Sequence, residues 1–364
     1  MGSIEQLPTP ALLLDLDVLE ANLSRMARRA DALGVALRPH IKTHKCIEIA
    51  QRQRGLGAGG ITVSTLYEAE VFAEHGFGDI TWAFPLILNR LTQARALAER
   101  IRLRLVVDSH AAIDALEASE FPFYVWLKVD CGYHRAGVDP NSELALELAG
   151  RLRGSRRLIF DGLLTHSGHA YHGRSTAEIR AVAESERAVM VGLADKLRGH
   201  GVEVPALSVG STPALAQVER LDGIDEARPG NYALYDASQV ALGSCGVRDC
   251  AATVLASVIS SHPGAAHCVV DAGALALSKD AGAAQASPPS MGRIFADYPA
   301  GELEPEARLV ELSQEHGIVS APLPLGRRVR ILPNHSCLTV AQFDHFAVVR
   351  GTEVVDRWKI WRAR

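Results

Sequence analysis

Between residues 16 and 33 the apolar side chains fall at Leu16, Leu19, Leu23, Met26, Ala30 and Leu33, the three-and-four spacing of one helix face. Asp17 followed by Glu20 has the form of a capping box at its start. Short apolar runs then alternate with helical stretches rich in Ala, Leu, Arg and Glu. The runs lie at 35–41, 60–64, 79–84, 103–108, 123–130, 158–166, 204–210 and, less sharply, 231–236. Eight strand segments interleaved with helices predict an α/β fold, a (β/α)8 barrel. A doubly wound open sheet is the rival, but no GxGxxG follows an early strand.

From about residue 245 the rhythm changes. "TVLASVIS", "HCVVDAG", "RRVRILP", "HFAVVRG" and "EVVDRWKIW" are short β-type runs separated by Gly, Pro and Asp. They predict a second, mainly β domain. The division reads as a barrel over 16–240 and a β domain over 241–364, which the segment 1–15 joins. Residues 281–293 read as a long irregular loop.

Composition narrows the function. Apolar residues make up 48% of the chain and charged residues 22%, which fits a globular protein with a sizeable core. A net charge of −4 leaves no domain-scale basic excess for nucleic acid. No apolar run approaches the roughly 20 residues of a membrane span, and "MGSIEQLPTPALLLDLD" lacks the form of a signal peptide. Six scattered cysteines with no CxxC pair fit a reducing, cytoplasmic setting. A small-molecule enzyme with neither a nucleic-acid nor a membrane partner is the expectation.

The chemistry gathers at strand ends. "RPHIKTHK" (38–45) crowds five nitrogen bases into eight positions. Strand alternation turns Arg38, His40 and Lys42 toward the barrel axis and Val35, Leu37 and Ile41 toward the helices. A lysine there, among other bases, is depressed in pKa and made nucleophilic by desolvation and like charge. Lys45 lies past the strand and reads as solvated. The fifth strand runs into "KVDCGYHRAGV" (128–138), with Asp130, His134 and Arg135 close together, and the sixth ends at His166 in "THSGHAYH". Gly210, Ser211 and Thr212 form a turn after the seventh strand, which reads either as a phosphate cradle or as an ordinary capped turn. In "PNHSC" (333–337), His335 and Cys337 are two apart, so a strand or extended loop turns both toward one point. Imidazole plus thiolate suits zinc, although a buried cysteine beside a satisfied histidine gives the same pattern.

Together these segments resemble the fold type III pyridoxal-phosphate enzymes, with an alanine-racemase-like barrel and a β domain. "RPHIKTHK", "RPGNYALYD" (228–236), "DAGALALSKD" (271–280) and "PNHSC" are similar to the D-serine dehydratase and D-threonine aldolase branch, over nearly the whole chain. The resemblance implies that Lys42 carries pyridoxal 5'-phosphate. It places Arg135 near the cofactor's phenolic oxygen, His166 against its ring and Arg228 at its pyridine nitrogen. It gives the phosphate to Gly210, Ser211 and Thr212 with Tyr235, and zinc or another divalent metal to His335 and Cys337. A homodimer is implied too. His-x-Cys, where the branch's aldolases carry His-x-Asp, favours dehydration of a D-hydroxy amino acid such as D-serine over aldol cleavage of D-threonine. His169 or His172 is the candidate base for the aldolase route. A non-catalytic pyridoxal-phosphate carrier is the third reading.

Overall fold

A computed structural model describes residues 2–363. Strand β1 (Ala11–Asp15) runs directly into the helix Leu16–Ala32. Asp15 caps that helix, because Asp15 Oδ1 accepts the Asp17 and Val18 N–H groups at 3.1 Å each. The expected cap at Asp17 is one turn-position late: Asp17 already lies inside the helix and pairs with Arg350.

The chain divides into two compact units, one of residues 26–42 and 50–230, the other of residues up to 25, 43–49 and 231–362. The first holds eight parallel strands: β2 (Ala36–Leu37), β3 (Ile61–Val63), β4 (Asp79–Pro85), β5 (Arg102–Val107), β6 (Tyr124–Lys128), β7 (Ile159–Leu164), β8 (Leu207–Val209) and β9 (Glu226–Ala227). Their order is β2-β9-β8-β7-β6-β5-β4-β3, and a parallel bridge between His40 and Thr62 joins the two ends into a barrel. Because helices cover the outer face, the strands read as near-continuous apolar runs, and the interior positions are the ones free to carry charge. Arg104 in β5 and Asp161 in β7 do so, joined at 2.6 Å.

Two segments depart from the expected strands. Over 35–41 only Ala36–Leu37 is strand, since Pro39 removes a ladder donor and Ile41–Thr43 closes into a 3-10 turn carrying Lys42. The eighth strand is Glu226–Ala227, while "NYALYD" (231–236) forms a 3-10 turn and the cap of the helix Ala237–Ala241, in the other unit. An apolar run was mistaken for a strand there because burial, not strand pairing, selects its side chains.

The second unit is built on β10 (Ala252–Ser261), β11 (Cys268–Val270), β12 (Gly292–Asp297), β13 (Glu302–Leu312), β14 (Gly317–Val319), β15 (Arg328–Leu332), β16 (His345–Arg350) and β17 (Glu353–Lys359). Strands β10, β15, β12, β13, β14 and β11 pair in a closed antiparallel ring. β1 adds antiparallel to β10 and parallel to β16, so the N-terminal strand is part of this sheet. Leu13, Leu255, Val349 and Val354 pack together beside it. Among the described residues no helix is long and apolar enough to cross a membrane.

Candidate active site

Within the barrel unit the polar side chains collect at the C-terminal strand ends. Lys42 stands exposed on its 3-10 turn. Lys128, the last residue of β6, is buried; burial, with Arg228 and Arg135 nearby, pulls its pKa down to about 7. His166, just past β7, is driven well below the usual imidazole range by burial and by the charges of Lys42, Lys128 and Arg135. Four of the expected or neighbouring groups are therefore within electrostatic reach of one another. The His166 ring is neutral at pH 7. Its Nδ1 lies 3.3 Å from the Gly210 carbonyl, which only accepts, so Nδ1 carries the proton and Nε2 the lone pair. Tyr133 meets the His166 ring edge-on at 6.1 Å, and the Arg135 guanidinium lies 4.9 Å from the Tyr133 ring centre.

Gly210 has a φ of +113°, and a Cβ there would stand 3.2 Å from the Arg228 backbone nitrogen, so only glycine makes this turn without strain. Ser211 caps the short helix Thr212–Gln217 by accepting the Ala214 N–H. The turn is thus both a capped turn and a glycine-led approach of backbone amides. Arg228 is fully buried; its guanidinium donates to Ser208 Oγ and to the Thr165 carbonyl. Burial lowers its pKa to about 10, against the opposing pull of Glu226 and Glu186. Tyr235 belongs to the other unit, where its hydroxyl is hydrogen-bonded to Arg25 and burial pushes its pKa up.

The donor set in the barrel fits pyridoxal phosphate. An amine past a strand end, a neutral imidazole, a glycine turn opening a helix and the cations Lys128, Arg135 and Arg228 suit a ring carrying a phosphate dianion. Lys128 and Glu186, both interior, were not singled out from the sequence. Lys128 ends an otherwise apolar strand. Glu186 interrupts the buried stripe Ile179, Ala183, Met190, Leu193 and Leu197 of the helix Thr176–Gly199, and a charge inside such a stripe was the available signal.

In the second unit His335 sits at the N-cap of the helix Ser336–Val340 and Cys337 in its first turn. The two side chains meet across a helix start rather than along a strand. His335 Nδ1 is 2.8 Å from Asp280 Oδ2, and the ring also hydrogen-bonds to Cys337. Burial lowers the His335 pKa, but the Asp280 carboxylate and Cys337 outweigh it and raise it to about 11. A carboxylate behind the imidazole is the usual second partner of a metal-binding histidine. Thr43 Oγ1 lies 3.2 Å from Cys337 Sγ. Asp236 fixes the segment by accepting the Ser336 N–H at 2.9 Å and Asn231 Nδ2 at 2.7 Å. Among the described residues no group of three or more His, Cys, Asp or Glu side chains is arranged for a metal, so the pair would leave the remaining positions to water or substrate.

Residues 14–238 match the family described as alanine racemase, N-terminal domain, and residues 251–349 the putative serine dehydratase domain. The chain belongs to the D-serine dehydratase and D-threonine aldolase family. Members of this family are pyridoxal-phosphate lyases, and this chain is a lyase of D-hydroxy amino acids. It is 40% identical to the D-threo-3-hydroxyaspartate dehydratase of Delftia sp. (strain HT23), over 97% of each chain. It is 33% identical to the D-serine dehydratase of Dictyostelium discoideum, over 98% of this chain and 97% of that one. A D-threonine aldolase of Arthrobacter sp is 31% identical, over 98% and 93%. The solved Delftia dehydratase superposes with a TM-score of 0.94 at 38% identity, covering 99% of both chains. Its solved variants replace a histidine and, two residues later, a cysteine by alanine, and the cysteine variant is in the metal-free form.

Proposed function

We propose that the chain is a metal-assisted dehydratase of a D-3-hydroxy amino acid, removing the β-hydroxyl and releasing a keto acid and ammonia. The observation that carries the reading is the His335–Cys337 pair backed by Asp280. Its two-residue spacing is that of the histidine and cysteine replaced in the Delftia dehydratase. D-serine is the substrate the sequence favours. The 40% identity to a D-threo-3-hydroxyaspartate dehydratase moves that dicarboxylate ahead of it, and an interior rich in cations suits a second carboxylate.

Pyridoxal phosphate, when bound, supplies the conjugated sink for the electrons left at Cα. Lys42 would hold it, with Ser211 and Thr212 toward its phosphate and Arg228 toward its ring nitrogen. Lys42 Nζ is the group that takes the Cα proton. His166, kept neutral, would lie against the ring without adding charge. Arg228, held by its hydrogen bonds to Ser208 and the Thr165 carbonyl, would face the ring nitrogen as a cation rather than give it a proton. His335 and Cys337 would hold a divalent ion such as zinc, which would supply a Lewis acid for the β-hydroxyl as leaving group.

The test is product identity. The enzyme is incubated with D-threo-3-hydroxyaspartate, D-serine and D-threonine, with and without chelator. Keto acid and ammonia from either of the first two, lost on chelation and restored by zinc, are expected. Glycine and an aldehyde as the main products of D-threonine would make it an aldolase and remove the argument from Cys337. Lys42→Ala is expected to lower kcat by about three orders of magnitude or more. It should also abolish the borohydride-fixed pyridoxyl label on the peptide carrying residue 42, read by mass spectrometry.

A further inference from the structure

The mechanism above gives no work to a buried carboxyl group that lies among these cations. Glu186 projects from the long helix Thr176–Gly199 and is 2% exposed. Its Oε1 accepts the Ser167 N–H at 3.0 Å and the Gly210 N–H at 3.2 Å, and its Oε2 accepts the Ser167 hydroxyl at 2.8 Å. Ser167 follows His166 in the chain, and the His166 Nδ1–H returns to the Gly210 carbonyl. Glu186, Ser167, His166 and Gly210 therefore close a ring of covalent and hydrogen bonds. The Gly210 peptide is held from both sides, its N–H by Glu186 and its carbonyl by His166.

We propose that Glu186 is a positioning residue that fixes the Gly210 turn and the His166 loop as one piece, so that the amides opening the next helix are set for the cofactor's phosphate. This inference rests on the cofactor reading given above. Three observations support it. First, the helix stripe supplies an apolar residue at every other turn, and a leucine would fill the place of Glu186 without any desolvation cost. What a carboxyl group gives in that place, and a leucine cannot, is the set of hydrogen bonds it accepts from two loops. Second, because Glu186 takes the Gly210 N–H, that amide does not address the phosphate; the helix opens on the amides of Ser211 and Thr212, while Pro213 has none and the Ala214 amide goes to Ser211. Third, the left-handed φ of Gly210 has no side chain to stabilise it, so its conformation depends on what its N–H and carbonyl bind.

The test compares pyridoxal 5'-phosphate with pyridoxal, which lacks the phosphate, on the full chain stripped of cofactor. Binding is followed by absorbance and thermal melting by circular dichroism. Glu186→Met keeps the side chain's length but removes both acceptor oxygens, so the Ser167 N–H, the Gly210 N–H and the Ser167 hydroxyl lose their partner. We expect it to weaken pyridoxal 5'-phosphate binding about tenfold or more while pyridoxal changes less than twofold. Equal losses for both probes, or no loss, overturn the role. Should Glu186→Met fail to fold, Ser167→Ala removes a single donor and decides. A loss of about threefold confined to the phosphate ester supports the role, and an unchanged ratio overturns it. A wild-type chain that binds neither probe defeats the cofactor reading itself, a different result from a wild type that prefers the phosphate ester beside a Glu186→Met that still does.

Discussion

The barrel interior has two layers with opposite electrical characters. In the lower one the buried Arg38 and Arg104, with Arg102 at its exposed edge, face Asp79, Asp161 and Glu226, and Asp79 pairs with both Arg38 and Arg104. Arg38 spans Glu226 and Asp79, at 2.6 Å from the latter, and Asp161 takes Arg104 at 2.6 Å and Arg102 at 3.1 Å. At the C-terminal ends of the strands the buried Lys128 and Arg228 lie near Glu186, the exposed Lys42 and Arg135 add their charge around His166, and Asp130 at the rim is already taken by His134 at 2.9 Å. Ser208 links the two layers by donating to Glu226 at 2.6 Å and accepting from Arg228. A charge-balanced layer is complete as it stands and serves the fold. A layer in which cations outnumber carboxylates suits an anion, and burial, with those cations beside it, depresses Lys128 and His166.

The largest expected effect breaks the lower layer alone. Asp161→Ala leaves Arg104 buried beside fewer carboxylates, and the unfolding free energy should fall by about 3–5 kcal/mol. Urea denaturation measures it, and pyridoxal 5'-phosphate affinity should stay within about twofold if the layers are separable. A parallel collapse of affinity would mean that they are not.

Next in size is the pH response of the upper layer. Lys128 titrates near 7 when folded and near its ordinary 10.5 when unfolded. The unfolded chain therefore binds more protons between those values, and stability rises with pH across the window by up to roughly 1.4 kcal/mol per unit. Below 7 both states are protonated and the penalty is at its full value. Lys128→Met should flatten the cofactor-free stability curve between pH 7 and 10 and raise stability most at its acid end. A variant curve that keeps the wild-type slope would place the imbalance elsewhere.

The smallest effect is at the exposed rim. Arg135→Gln should cost about threefold in cofactor affinity at low salt and less at high salt, because an exposed charge is screened. A salt-independent loss would show Arg135 to be a buried partner of the ligand instead.

Much of the barrel was legible because periodicity survives in a chain whose strands and helices bury different faces. The first helix was placed to within a residue of its end, and seven of the eight strand segments were located, with only Ala36–Leu37 remaining of the first. The eighth, Glu226–Ala227, is two residues long and leaves no period to read, so the buried apolar turn after it drew the assignment. Site legibility followed the same line. Lys42, Arg135, His166 and Arg228 stand at or beyond strand ends, where polarity breaks an apolar run. Glu186 is hidden on a helix, and its meaning depends on two loops 19 and 24 residues away in sequence. The Asp280 carboxylate is 55 residues from His335. Spacing alone could not join them.

The sequence by itself determined the order of elements, the change from alternating to all-β rhythm and the kinds of donor at the strand ends, since these follow from local period and side-chain chemistry. Tertiary structure alone decided which charges cancel. Arg38 and Lys42 lie four residues apart in one basic cluster, yet Arg38 is neutralised by carboxylates from β4 and β9 while Lys42 adds to an unbalanced set. Electrostatic energy depends on distance and burial, and neither is fixed until the strands have closed.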